Sequence, residues 1–163
     1  MPPSVSPASE PTDTEVDAVM HAARVLVAVV ASSLSAVESV VTVTQLRILM
    51  LVATRESMNL SAVAEALRVH ASNASRACDR LVRDKLLERR DSTTDRRNLV
   101  LELSPQGREL VESVVESRRA AMRAILTNMS VEDRARLAPV LNGFAVAAGE
   151  HPDHDFATPI WGD

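Results

Sequence analysis

Two groups of side chains in the middle of the chain have the types and spacing needed to read duplex DNA. The first follows His70 on a predicted helix, and the second lies between two predicted strands. Small polar side chains at the start of a helix can enter a major groove, and guanidinium groups at a β-hairpin tip can reach the neighbouring minor groove. The pairing predicts a helix-turn-helix with a basic wing. The candidate DNA-binding residues are Ser72, Asn73, Ser75, Arg76 and Arg80 on the helix and Asp95, Arg96 and Arg97 on the wing.

Each group also has a plainer interpretation, as an exposed helix face or as solvated hairpin charges. The wing favours the DNA interpretation, because arginines at a hairpin tip have no other evident role and guanidinium suits a narrow minor groove. Arg97 is the expected inserted residue, and Asp95 is the carboxylate expected to orient it. Arg80 is expected to anchor a phosphate.

The charge of the chain is unevenly distributed. The net charge is −4 over 163 residues, but residues 68–97 contain nine basic and five acidic side chains, so that segment is +4 and the remainder −8. A basic module on an acidic body is the asymmetry that docking onto a polyanion requires. The overall negative charge therefore does not exclude a nucleic-acid partner.

Helix caps and strand patterns predict the elements that position these groups. Thr12 and Glu15 form a capping-box pattern before the first helix. Thr44 and Ser61 are the expected caps of the second and third helices, with Leu60 in a short extended segment before the third. The remaining expected elements are strands at residues 86–91 and 98–103 and helices that begin after Ser104 and Ser130.

The predicted order is ααααββαα. It indicates a mainly α fold of the α+β winged helix-turn-helix type, with a β-hairpin wing and helices from both termini. The first helix is apolar on more than one side, since Val25, Leu26 and Val29 lie off its main apolar stripe. A terminal helix with such an excess usually packs against another subunit. The sequence therefore predicts a helical dimerisation region.

Motifs of other protein classes are missing from the sequence. It contains no Gly-rich phosphate loop, no paired cysteines and no Ser-His-Asp spacing that would support catalysis, so we expect neither an enzyme nor a cofactor. A single cysteine suits a reducing cytosol. The first eleven residues contain four prolines and no lysine or arginine, which predicts a tail rather than a signal peptide. The longest uncharged run near the start, residues 25–37, is too short for a membrane span of about 20 residues. A cytoplasmic protein is expected.

Three further features have weaker chemical interpretations. Cys78 shares a helix face with Ala74 and Leu81, which points its thiol inward and favours an inert residue over a redox sensor. A group of possible metal ligands near the C-terminus is expected to be solvated rather than metal-bound. Large apolar residues in the same segment are expected to pack on a partner subunit. These two groups are His151, Asp153, His154 and Asp155, and Phe156, Ile160 and Trp161.

The wing and its exit also resemble those of a known family. Asp95 to Arg97, followed by the run Leu103-Ser-Pro-Gln-Gly-Arg108, is similar to the Asp-x-Arg wing and Leu-Thr/Ser-x-x-Gly exit of the MarR (multiple antibiotic resistance regulator) winged-helix regulators. The resemblance spans residues 16–149. Two positions depart from the family pattern. His70 stands where Ser or Thr usually caps the recognition helix, and Lys85 stands where Gly is common, so local geometry is expected to differ there.

The resemblance implies a homodimeric transcription regulator that is expected to repress by binding a pseudopalindromic operator. It also implies that a small molecule can release such a regulator from its operator. It places the effector cavity between the dimerisation helices and the winged region, where His21, Arg24 and Arg47 are the candidate polar groups. The expected division of the chain is a tail at 1–11, dimerisation segments at 12–42 and 105–149, a winged region at 43–104 and a tail at 150–163. The alternative is a winged-helix adaptor that binds protein and not DNA.

Overall fold

The computed structural model describes residues 10–91 and 99–149 of the chain. The predicted order of elements is confirmed, with six helices and one antiparallel hairpin among these residues. The mainly α, winged helix-turn-helix fold class is confirmed with it. In chain order the elements are α1 (Asp13–Ser35), α2 (Val43–Arg55), α3 (Leu60–Ala66), α4 (Ala71–Arg83), β1 (Leu87–Asp91), β2 (Leu99–Leu103), α5 (Pro105–Thr127) and α6 (Val131–Ala147).

Side-chain caps fix where the helices begin. The Thr12–Glu15 capping box at α1 is confirmed. The expected cap of α2 at Thr44 is wrong. Thr42 caps this helix, because Gln45 three residues later completes a capping box with it, the Gln45 side chain accepting from the Thr42 amide at 2.9 Å.

The start of α3 also differs from the sequence expectation. Asn59 caps the helix by accepting from the Ala62 amide at 2.8 Å, so Ser61 is not the cap and Leu60 is the first helical residue rather than an extended one. The extended residue is Met58, which forms a bridge with Leu101 through bonds of 3.1 and 2.7 Å. Met58 therefore adds one more pair of backbone hydrogen bonds to the edge of the wing hairpin.

The wing strands pair in one register, from Leu87 opposite Leu103 to Asp91 opposite Leu99. Their base is joined to α5 by a close backbone contact. Ser104 caps α5 and its hydroxyl donates to the Lys85 carbonyl at 2.5 Å. A Cβ at Gly107 would lie 2.0 Å from the Leu86 carbonyl oxygen, so only glycine permits this approach. The base of the wing is thus held rigidly against the start of α5.

The hydrophobic core belongs to the middle of the chain. Among residues 10–91 and 99–149, every buried apolar residue lies between Val37 and Val114, and the largest fully buried side chains come from α2, α3, α4 and β1. They include Leu46, Ile48, Leu49, Val52, Val63, Cys78, Leu81 and Leu87. This packing encloses α4 on one side and leaves its other side free.

The first and last helices present apolar surface to solvent. α6 buries none of its side chains within the chain, and Phe144 and Val140 on it are more than half exposed. α1 is joined to α5 where the Arg118 Nε donates to the buried Ser33 hydroxyl at 2.8 Å, but most of its apolar residues are exposed. The large exposed apolar residues of these helices are Val16, Val19, Met20, Val25, Leu26, Val27, Ile125, Leu126, Val131, Val140, Leu141, Phe144 and Val146.

One of these helices is longer and more apolar than the sequence interpretation assumed. Among the described residues, α1 alone has the length and mean hydropathy (1.6) of a membrane span. The apolar segment extends beyond the uncharged run 25–37, because the helix continues through Arg24. The same composition suits a helix that packs against other helices.

Candidate nucleic-acid interface

The candidate interface centres on α4, whose two faces differ sharply. Ala74, Cys78 and Leu81 are fully buried, as their shared spacing predicts. The side chains on the opposite face point outward because residues three and four apart share a side of a helix. Ser72, Asn73, Arg76 and Arg80 are exposed and Ser75 is half-buried. The structure therefore brings the five helical candidate residues onto one accessible surface.

The histidine that departs from the family pattern does cap α4. His70 Nδ1 accepts from the Ser72 amide at 3.3 Å and lies 2.9 Å from the Ser72 hydroxyl. An imidazole nitrogen can replace the usual Ser or Thr oxygen when it is unprotonated, because it then offers a lone pair to a first-turn amide. The helix start is intact, and the imidazole stands beside the first candidate contact residue.

Lys85, the second departure from the family pattern, adopts the backbone conformation that glycine would supply. Lys85 has φ 59°, the left-handed conformation that glycine usually supplies after a helix. Its amide donates to the Val82 carbonyl at 3.1 Å, and the next amide, that of Leu86, donates to the Leu81 carbonyl at 2.8 Å. The same turn is therefore made with a lysine, and α4 is followed directly by β1.

A polar cleft opens beside the exposed face of α4. It has a volume of about 280 Å³ and separates α4 from the start of α2. Sequence reasoning missed the α2 side of this surface, because it depends on how α2 packs against α4. The capping-box pattern of Thr42 and Gln45 could have located the helix start, though not its neighbours. The lining residues are Thr42, Thr44, Gln45, Asn73, Arg76, Ala77 and Arg80.

Not every arginine of the basic segment is available to a ligand. Arg89 on β1 pairs with Asp79 on α4. Arg90 pairs with Glu88 at 2.9 Å and Glu102 at 3.2 Å, and the hydrogen bond that Arg90 donates to Glu88 is the main reason that the pKa of Arg90 is raised. The Arg90–Glu102 pair joins the two wing strands, and the Arg89–Asp79 pair joins β1 to α4. The +4 segment charge therefore overstates the charge that faces outward.

Arg76 and Arg80 on α4 differ from the paired arginines Arg89 and Arg90 on β1. Arg76 Nε donates to the Ser72 carbonyl at 3.2 Å, which holds its guanidinium along the helix, and neither Arg76 nor Arg80 has a carboxylate partner among the described residues. Two guanidinium groups that form no ion pair in the described part of the chain thus line the same cleft as Asn73. This arrangement can bind phosphate and base edges together.

The wing tip lies outside the described residues. Asp95, Arg96 and Arg97 fall in the segment 92–98, between the ends of the two strands. Their proposed DNA contacts remain sequence-based predictions. The C-terminal candidate ligands from His151 onward also lie outside the described residues, and within those residues no group of three metal-ligating side chains is found.

Cys78 is well placed for packing and poorly placed for chemistry. Its side chain is fully buried, and burial, followed by the nearby Asp79 carboxylate, raises its pKa to about 11. A thiol with such a pKa stays protonated and unreactive near neutral pH. The structure supports the inert interpretation.

The three candidate effector residues are not gathered in one cavity of the described chain. His21 and Arg24 are exposed on α1, and Arg47 is half-buried on α2 with an Nε that is buried and has no hydrogen-bond partner among the described residues. Neither the α2–α4 cleft nor a cavity of about 680 Å³ at the base of the wing includes them.

Comparison with known proteins identifies relatives of this arrangement. The MarR family model matches residues 41–99. The HTH-type transcriptional repressor MdtR of Bacillus subtilis (strain 168) is 32% identical over 108 residues, which cover 66% of this chain and 70% of MdtR. The crystal structure of RV1404 from Mycobacterium tuberculosis is 35% identical and has a TM-score of 0.77, covering 89% of this chain and 99% of RV1404. The structure of an S. aureus MepR mutant bound to an oligodeoxyribonucleotide shares the fold, at 18% identity, 85% and 99% coverage and a TM-score of 0.57.

Proposed function

The chain belongs to the MarR family of DNA-binding transcription regulators, which are not enzymes, and from this premise we propose that it represses transcription as a homodimer on a pseudopalindromic operator. The observation that supports the proposal most directly is the outward face of α4. That face presents Asn73 together with Arg76 and Arg80, two cations that have no carboxylate partner among the described residues. An amide can read a base edge while the arginines bind phosphate or guanine. Family membership argues against the protein-binding adaptor alternative.

Dimerisation is supported by the apolar surfaces of α1, α5 and α6. Contiguous exposed apolar surface on a soluble protein usually marks an interface. In a two-fold dimer the same surface of each subunit covers the other, and the two α4 helices can enter successive major grooves. We therefore assign residues 12–42 and 105–149 to dimerisation, 43–104 to DNA binding, and 1–11 and 150–163 to tails.

Regulation by a small molecule and a cytoplasmic location complete the proposal. MarR regulators are soluble DNA-binding proteins, which suits α1 as a helix covered by protein rather than by lipid. The buried, unpartnered Nε of Arg47 supports a polar ligand near α2, because a buried donor without an acceptor is unfavourable. His21 and Arg24 are proposed to join it in the dimer. Repression is supported by the similarity to the repressor MdtR.

The test of the DNA-reading role is selection of duplexes by the purified protein, followed by substitution on α4. Fragments retained from a random pool define the preferred site. Asn73→Ala and Arg76→Ala should each weaken binding to that site by about 1–3 kcal/mol and flatten the preference between bases. Inserting five base pairs between half-sites should abolish tight binding, because the two helices then face opposite sides of the duplex. Unchanged base preference in both variants would show that α4 does not read the sequence.

The wing is tested by the salt dependence of binding. Arg97→Ala, and to a lesser degree Arg96→Ala, should weaken binding, and Asp95→Ala should act in the same direction by releasing the arginine. Losing one ionic contact per subunit should reduce the slope of log affinity against log salt by about two units per dimer. If the plots of log affinity against log salt coincide for wild type and Arg97→Ala, the wing does not contact DNA.

A further inference from the structure

The α2–α4 cleft has cationic and neutral hydrogen-bond donors on opposite walls. On the α4 wall, Arg76 and Arg80 have no carboxylate partners among the described residues. On the α2 wall, the exposed Thr44 presents a hydroxyl beside the first turn of a 13-residue helix. All of these groups can donate hydrogen bonds, and the exposed arginines cannot accept them. The cleft therefore suits an anion.

The first turn of α2 strengthens this preference. The Gln45 amide is already bonded to the Thr42 hydroxyl at 3.3 Å, whereas the Val43 and Thr44 amides are first-turn donors with no acceptor inside the helix. The turn contains no acidic side chain that would compete for them. The first turns of α3, α4 and α5 also lack acidic residues, so what distinguishes α2 is the pair of arginines across the cleft from its first turn. Of the donors on α2, the Thr44 amide and hydroxyl belong to a residue that lines the cleft, opposite the guanidinium groups of Arg76 and Arg80.

We propose that this cleft holds one backbone phosphate of the DNA strand that flanks the bases facing Asn73, and that Thr44 is a positioning residue for it. The inference rests on the proposed DNA-binding role of α4. Because the cleft shares Asn73, Arg76 and Arg80 with the recognition surface, a phosphate bound there fixes the depth and angle at which α4 enters the groove. Thr44 then affects affinity for all sequences rather than the choice of base.

The experiment compares two glutamates at equivalent helix positions. Thr44 is the second residue of α2 and Gln106 the second residue of α5. Both are exposed, and Gln106 lines the cavity at the base of the wing rather than the α2–α4 cleft. Thr44→Glu and Gln106→Glu add the same charge, and a first-turn carboxylate is favourable to each helix, so both variants should fold. Thermal melts confirm the folding before binding is measured on the selected duplex.

Thr44→Glu should weaken binding at least tenfold more than Gln106→Glu does. It should also reduce the slope of log affinity against log salt by about two units per dimer, while Gln106→Glu leaves the slope unchanged. Thr44→Val, which removes only the hydroxyl, should weaken binding severalfold with unaltered base preference. Equal losses for the two glutamates would overturn the phosphate site and leave the DNA-reading role standing. A wild-type protein that retains no duplex at low salt would overturn both.

Discussion

The middle of the chain buries its large apolar side chains, whereas the helices at its two ends leave many of theirs exposed. Between Val37 and Val114 the apolar side chains of α2, α3, α4 and the wing strands bury one another. In α1, the second half of α5 and α6, large apolar side chains remain exposed, and α6 has no buried residue at all. The middle segment, the complete half, thus has a core of its own. The helical segments, the incomplete half, leave apolar surface that we propose a second chain covers.

The largest effect is expected on the free energy of unfolding, when a core side chain of the complete half is shortened. Leu81 is fully buried on the inner face of α4. Leu81→Ala should lower the free energy of unfolding by about 2–5 kcal/mol, because it removes apolar contacts and leaves a cavity behind the recognition helix. Urea unfolding followed by circular dichroism measures the loss. A change below about 1 kcal/mol would mean that α4 is not held by the core described for it.

The next largest effect is expected on the affinity of the proposed dimer, when an exposed apolar residue of the incomplete half is made acidic. Phe144 on α6 is 55% exposed in the single chain. Phe144→Asp should weaken the dimer at least a hundredfold, since a carboxylate would be buried in an apolar interface without a partner. Light scattering during size-exclusion chromatography across a dilution series measures the shift to monomer.

Leu99→Asp supplies the matched control for that prediction. Leu99 is 57% exposed on β2, in the other half of the molecule. The same chemical change there should leave the dimer intact. If both variants dissociate alike, or neither does, exposure on α6 has no special relation to association.

A smaller effect is expected on the pH dependence of the free energy of unfolding, because the Cys78 thiol is buried in the complete half. The pKa of Cys78 is raised from 9.0 to about 11 mainly by burial, so below pH 9 both folded and unfolded chains keep the thiol proton. Above pH 9 the unfolded chain loses it first, and the free energy of unfolding falls as the pH rises towards 11. The loss should be about 1 kcal/mol at pH 10.

Cys78→Ala provides the reference for that measurement. The variant lacks the thiol and should lack this part of the pH dependence, so its stability difference from wild type should narrow between pH 8 and 11. A constant difference across this range would show that the thiol ionises as readily in the folded chain as in the unfolded one.

The sequence predicted features that depend on neighbours along the chain. The inner face of α4, the Thr12 capping box and the Ser104–Pro105 start of α5 follow from spacings of three or four residues. The expected cap of α2 at Thr44 is wrong for a reason that is also local, since Gln45 completes a capping box with Thr42.

Other features arise only when distant segments meet. The bridge between Met58 and Leu101 and the ion pair between Asp79 and Arg89 depend on how the wing folds back onto the helices. The α2–α4 cleft likewise requires helix packing that periodicity does not specify. For this reason sequence reasoning found the α4 side of the candidate interface and missed Thr44 on the other side.

The central claim is that the helical half of one chain is completed by a second copy, which sets the spacing of the two α4 helices. Sedimentation equilibrium of the wild-type protein at low micromolar concentration, without DNA, tests it most directly. We expect a particle of twice the 17.6 kDa chain mass, with folded monomer scarce. A well-folded particle of 17.6 kDa under these conditions would contradict it.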